Sequence, residues 1–406
     1  MTMADAAYLK AVETWRVRRD PRALCAWLAR NLDTDGVPRR LPVAEWWPLL
    51  EQIRMVAPEG EDERFEPIAA RLEGFVRAAV RFSRPDGSAI FSEEQRPPGR
   101  GRLLAELTER LADPQLETVV RWWFPKLFGP RRGSFAPYLP AFAASEPTGP
   151  LAMLRADWLP RGDFLAIDQR TRSAPGLLEL VGGGTRWLGP SWDCGEAAGR
   201  SRMTFWSSTP SADCAEWTFR RGPARVTRLA VFLRSRKLAL ISEQIEGGTE
   251  LPALRLQTAP GVAATISKGR REIRLTAGRS SCAVVPIGLP EGAFPTPHGS
   301  FQAEGRDLVL SQHGDTRRSW LPLLVNWDAS RNRLPVHWRR LTVSENSKVC
   351  KPGTAAAFRV WWGTQKESLL IYRSLGPPAL RAFLGLKPVL GSSSAGSIPR
   401  ETSSRS

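Results

Sequence analysis

Residues 225–246, RVTRLAVFLRSRKLALISEQIE, decide the fold class. Val226, Arg228 and Ala230 alternate with Thr227, Leu229 and Val231, and a period of two sends successive side chains to opposite faces of a strand. Ser235, Arg236 and Lys237 interrupt the pattern, and LALISEQIE resumes it as an apolar run ending in an acid. Two such runs about a short polar break predict a β-hairpin.

The same signal recurs through the second part of the chain. Residues 152–155, 164–168, 177–181, 203–207, 215–220, 272–276, 281–285, 308–312, 339–344, 357–362 and 368–373 are strand candidates. So many short strands without intervening helices predict a large antiparallel β-sandwich over 151–390. Upstream the spacing is helical. Phe65, Ile68, Leu72, Phe75, Val76 and Ala79 form one stripe, Leu103, Leu104, Leu107 and Leu111 another, and Leu116, Val119, Val120 and Trp123 a third. With helices expected near 4–19, 21–32 and 43–55, residues 1–124 read as a short antiparallel α-helical domain. A Pro- and Gly-rich connector (125–150) separates the two, and a Ser-rich tail (391–406) is expected to be disordered. The fold class is α+β: helices first, then a supersandwich-like β-region.

Composition narrows the function classes. A hydrophobic content of 42% with 24% charged residues is globular. No apolar run reaches the length of a membrane span, and residues 1–22 lack the apolar core of a secretory signal. The five cysteines are scattered and never form CxxC, which argues against a zinc ribbon or a disulfide framework and for reduced thiols in the cytoplasm. Cys194 and Cys214, each preceded by Asp, are the one pairing that spacing suggests. No cofactor is expected.

The net charge of +17 is unevenly placed. Residues 1–150 hold 22 Lys and Arg against 21 Asp and Glu, whereas 151–406 hold 36 against 20. The basic excess therefore belongs to the β-region, where it would attract polyanions.

Catalytic motifs are missing. Gly182–Gly184 follows a strand, but Thr185–Leu188 looks like another strand and not a helix, so the glycines read as a hairpin turn and not as a phosphate cradle. His298 and His313 fall in turns and His337 opens a strand, none in metal-ligand spacing. There is no GxSxG elbow. Tryptophan is abundant, at 16, and the pair Trp361–Trp362 on a strand must put one ring in the core and leave the other for a second element, a partner or a ligand. Trp187, Trp192, Arg200, Arg202 and Trp206 together are the best local candidate for a stacking and anion-binding surface, with inter-sheet packing as the competing role.

The order LAMLRADWLPRGDFLAIDQR, LLELVGGGTRWLGPSW and EWTFRRGPARVTRLAVFLRSRKLALISEQIEG resembles the β-sandwich of heparinase II/III-like polysaccharide lyases. The resemblance implies a helical toroid ahead of a large antiparallel sandwich, with a substrate cleft between them. It also implies a catalytic histidine within what is here 168–208, and that segment contains neither His nor Tyr. Tyr138, in the connector, is the only tyrosine near where a cleft would lie.

Three functions follow: a non-catalytic relative that binds an acidic polysaccharide or a protein partner through a basic sandwich; a divergent active lyase; and a nucleic-acid-associated protein. The third fits least, because the basic residues are spread over many strands and not clustered in a stripe. The lyase alternative predicts unsaturated-product absorbance on uronate polymers that Tyr138→Phe abolishes; no absorbance with the unmodified protein removes that alternative.

Overall fold

A computed structural model describes residues 10–14, 17, 22–39, 41–56, 66–93, 99–110, 113–128, 142–143, 151–170, 176–193, 201–248, 251–267, 269, 271–313, 318–345, 348–350, 353–364, 367–376 and 383–388. Most of the expected first helix, most of the connector, the tail, Cys194, Arg200 and Tyr138 lie outside them. The chain forms two compact units, Met1–Arg333 and Leu334–Ser406, so the helices share a unit with most of the strands. Among the described residues no helix is long and apolar enough to cross a membrane.

The helices are α1 (Arg22–Asn31), α2 (Trp46–Val56), α3 (Glu66–Arg81), α4 (Arg100–Arg110), α5 (Pro114–Trp123) and α6 (Pro125–Phe128). Local chemistry sets their ends. Asp113 caps α5 by accepting from Gln115 N and Leu116 N, with Pro114 at the first position where no N–H is required. After α1, Asp33 N donates to Val37 O and Gly36 N to Asp33 O; after α3, Arg84 N donates to Ser88 O and Gly87 N to Arg84 O. Isolated bridges Leu32–Pro38 and Ser83–Ala89 close the two loops, so the helical layer contains one helix-and-loop unit built twice.

The strands of the larger unit begin with β1 (Phe142–Ala143), β2 (Leu151–Arg155), β3 (Phe164–Asp168), β4 (Gly176–Gly182) and β5 (Thr185–Asp193). They continue as β6 (Arg202–Ser208), β7 (Ala212–Arg221), β8 (Ala224–Leu233), β9 (Leu238–Glu246), β10 (Ala253–Thr258) and β11 (Ala263–Ile266). The last are β12 (Ile273–Ala277), β13 (Ser280–Val285), β14 (Gly299–Glu304), β15 (Asp307–Gln312) and β16 (Arg318–Asn326). Sheet A has the order β1-β2-β3-β4-β5-β10-β15-β14 and sheet B the order β11-β12-β13-β16-β9-β8-β7-β6, with every pairing antiparallel. The expected hairpin of 225–246 is β8 and β9, joined by a short turn in which Lys237 takes a left-handed conformation. Gly183 and Gly184, both at positive φ, make the two-residue turn between β4 and β5.

Strands β2–β4 of sheet A form a shared wall. Leu151, Met153, Phe164, Ala166 and Val181 join the core of the helices, among them Trp46, Phe75, Phe82, Leu104 and Val120. The alternate residues Ala152, Leu154, Leu165, Ile167, Leu178 and Leu180 join a second core with Trp217, Val226, Ala230, Phe232, Ile241 and Leu323 of sheet B. Burial on both faces explains why β2 and β3 read as unbroken apolar runs and not as an alternation.

Several charged groups in this interior are matched in place. Arg84, in the loop after α3, makes a bidentate pair with the fully buried Glu179 of β4 (Nε–Oε1 2.6 Å, Nη2–Oε2 2.7 Å), and Phe91 N donates to the same carboxylate. Arg155 lies over the rings of Trp158 and Phe164 and donates to Arg81 O and Ser83 O, capping the carbonyl end of α3. Burial pulls its pKa down to about 9, opposed by the nearby Asp157 and Glu179. Between the sheets, Arg228 donates to Glu243 Oε1 (2.9 Å), Gln169 Oε1 and Trp192 O. A Cβ at Gly176 would stand 2.1 Å from Arg228 Nη1, so the absence of a side chain there lets the guanidinium pass.

The smaller unit holds β17 (Val336–Leu341), β18 (Ser344–Glu345), β19 (Lys348–Val349), β20 (Ala355–Trp362), β21 (Glu367–Ser374) and β22 (Phe383–Pro388). The strands β17, β20, β21 and β22 form one antiparallel sheet, and β18 pairs with β19. Trp362 is buried and Trp361 half-buried, the division that adjacent tryptophans on a strand require.

Removing one member of the Arg228–Glu243 pair is asymmetric. Arg228→Met strands a carboxylate between the sheets and should cost about 3–5 kcal/mol in denaturant unfolding. Glu243→Gln keeps an acceptor for Arg228 and should cost less. Burial, opposed by Arg228, pushes the Glu243 carboxyl up from its ordinary value. The native state then binds this proton more tightly than the unfolded chain, so the contribution is full below about pH 4 and is lost as pH climbs through the folded value. Glu243→Gln should flatten that decline.

Candidate anion-binding surface

Of the residues singled out in the sequence, Trp187, Trp192, Arg202 and Trp206 are described, and the three rings belong to or pack against one core. Trp187 and Trp192 are 1% and 0% exposed and belong to the inter-sheet core, where Trp187 Nε1 donates to Gly182 O and Trp192 lies under Arg228. Neither ring meets solvent. Trp206 is half-buried against the same core, and Arg202 is exposed on β6. Arg200 and Tyr138 lie outside the described residues. The strand alternation was legible, but it does not say which face of a strand meets a second sheet.

Two groups stand out among the described arginines of the β-region. One set is paired with carboxylates: Arg170 with Asp168 (2.6 Å), Arg228 with Glu243, Arg234 with Asp213 (2.6 Å), Arg255 with Asp307 (3.0 Å), Arg274 with Glu272 (3.2 Å) and Arg306 with Glu93 (3.0 Å). These consume charge in holding strands and loops together. Arg170 Nη1 also donates to Pro38 O, and Arg306 donates to Thr258 O and Gly189 O.

The second set is an exposed row. In the register of sheet B, Arg220 on β7 faces Arg225 on β8, Arg225 faces Glu246 on β9, and Glu246 faces Arg318 on β16. Neighbouring strands are spaced about 4.8 Å apart, so the row extends roughly 14 Å. All three arginines are exposed, and none makes an ion pair among the described residues. Glu246 instead accepts from Gln244 Nε2. Arg202, whose register partner Thr218 lies two residues before Arg220, adds a fourth exposed cation at the same end of the sheet. Like charges directly opposite one another destabilise a strand pair, and Arg220 with Arg225 is such a pair.

Other chemistry is sparse. The β14–β15 hairpin brings His298 and His313 side by side, with His313 N donating to His298 O (2.8 Å). Among the described residues no cluster of His, Cys, Asp and Glu has a metal-binding arrangement. The pairing of Cys214 with Cys194 involves a residue outside the described set. No protein-family model and no curated protein sequence matches the chain.

The repulsion in the row is measurable without a ligand. Arg220→Glu places a carboxylate opposite Arg225 and should raise stability by about 0.2–1 kcal/mol at low ionic strength. The gain should fade at 1 M salt, where screening is nearly complete over about 3 Å; a loss of stability at low salt would contradict it.

Proposed function

We propose that the protein is a non-catalytic binder of acidic polysaccharide, related to the heparinase II/III-like lyases, and that it holds the polymer through the exposed arginine row of sheet B. On this reading the helical layer is a short counterpart of the family's helical toroid, and the paired eight-stranded sheets are the counterpart of its sandwich. The observation that carries the reading is the contrast between the two arginine populations. Interior arginines are provided with carboxylates or ring faces, whereas Arg202, Arg220, Arg225 and Arg318 are exposed at one sheet end with a single acid among them. Guanidinium groups at strand spacing suit a chain carrying regularly placed carboxylates or sulfates, each able to accept two N–H bonds.

Binding of this kind releases counterions and weakens as salt rises. The full-length protein should bind heparin or polygalacturonate with an affinity that falls steeply between 50 and 300 mM salt, conditions chosen on the order of the screening range. Replacing Arg220, Arg225 and Arg318 together by Ala should weaken binding roughly tenfold or more and flatten the salt dependence. Binding indifferent to salt, or unchanged in the triple variant, would refute the assignment. Capture of a protein in preference to both polymers would favour a protein partner at the same surface.

A further inference from the structure

The four-stranded sheet of the smaller unit buries one face more fully than the other, although Ala355, Ala357 and Ser368 are buried on the second as well. Val336, Trp338, Phe358, Val360, Trp362, Leu369 and Ile371 are buried on the first. On the second, register sets His337 opposite Trp361 and Arg339 opposite Arg359, with Leu370 next to Arg359 on β21. Arg339 is exposed, and Trp361 and Arg359 are half-buried.

Two features of this face suit an anionic partner. Arg339 and Arg359 are directly opposed cations on neighbouring strands, and neither has a carboxylate partner among the described residues. Such a pair destabilises the sheet unless an anion comes between them. Arg359 is also held in place, its guanidinium 5.8 Å from the centre of the Trp361 ring, while His337 stacks on that ring at 5.5 Å with 22° between the planes. Stacking restricts the guanidinium and lowers the entropy lost when it grips an anion.

We infer that the exposed part of this face is a second anion-binding surface, in which Arg339 and Arg359 together grip a carboxylate of an acidic glycan beside the wall formed by Trp361 and His337. The inference rests on the proposed binding of acidic polysaccharide and adds a site on the smaller unit. The covered ring argues for a glycan over single-stranded nucleic acid. Nucleic-acid platforms stack bases on open aromatic faces, whereas the Trp361 ring already has His337 stacked on it and Arg359 over it. A carboxylate needs only the guanidinium N–H groups.

The test uses the full-length protein on immobilised polygalacturonate, with Arg339→Ala/Arg359→Ala compared against Arg220→Ala/Arg225→Ala. Removing opposed like charges should leave the thermal midpoint unchanged or raised; if the double variant unfolds early, Arg339→Gln alone, at the exposed partner, replaces it. The inference expects a loss of about fivefold or more in affinity for the Arg339/Arg359 variant. Full affinity there with a loss in the Arg220/Arg225 variant overturns this site and leaves the sheet B reading standing. The converse overturns the sheet B reading and leaves this site. No loss in either overturns both, and tighter binding of single-stranded DNA than of polygalacturonate overturns the choice of ligand.

Discussion

A sheet with apolar layers on both faces leaves no water for any polar group it carries, and the β2–β4 part of sheet A is such a sheet. Leu151 and Met153 face the helices while Ala152 and Leu154 face sheet B, so every side chain of β2 is committed to one core or the other. A charge on these strands must bring its partner with it, because an unmatched buried charge costs several kcal/mol. Glu179 meets this demand with Arg84 from the helical layer, and Asp168 with Arg170. Arg155 meets it differently, with ring faces and the carbonyl end of α3. The same contacts that satisfy the strands also fix the helices on the sheet, which is why helices and strands share one compact unit.

This constraint gives meaning to the net charge. Arginine is abundant in the β-region partly because its planar fork suits buried pairing, and those arginines contribute nothing to a surface field once matched. Among the described residues, part of the surplus that remains at the surface is grouped at the end of sheet B around Arg220, Arg225 and Arg318 and on the smaller unit around Arg339 and Arg359. In both places cations stand opposite one another across a strand pair, an arrangement that weakens the sheet and that an anionic ligand would relieve.

Much of the strand framework was legible because period-two patterning and turn residues agree, as in 225–246 and at Gly183–Gly184. What escaped has physical reasons. β16 carries Pro322, which normally argues against a central strand, but β13 pairs only with Leu324, Val325 and Asn326, so no neighbour on that side requires an N–H from residue 322. β10 is six residues between Pro252 and Pro260, and the turn character of the prolines masks the alternation of Leu254 and Leu256. The repeated loops after α1 and α3 share a glycine but few other residues, and backbone hydrogen bonds, not side chains, define their likeness. The arginine row was beyond reach for a different cause: Arg318 is far in sequence from Arg220 and Arg225, and the row aligns only once the register of β7, β8, β9 and β16 is known.

Native-state hydrogen exchange on the amides of α3, β3 and β4 tests the shared-wall account most directly. If sheet A and the helices are one cooperative structure, the slowest amides of all three should open with the same free energy, that of global unfolding, and fall together when Arg84 is replaced by Met. Helical amides that open at a distinctly lower free energy than those of β3 and β4, and that do not respond to the substitution in step with them, would show an independent helical domain and contradict the account.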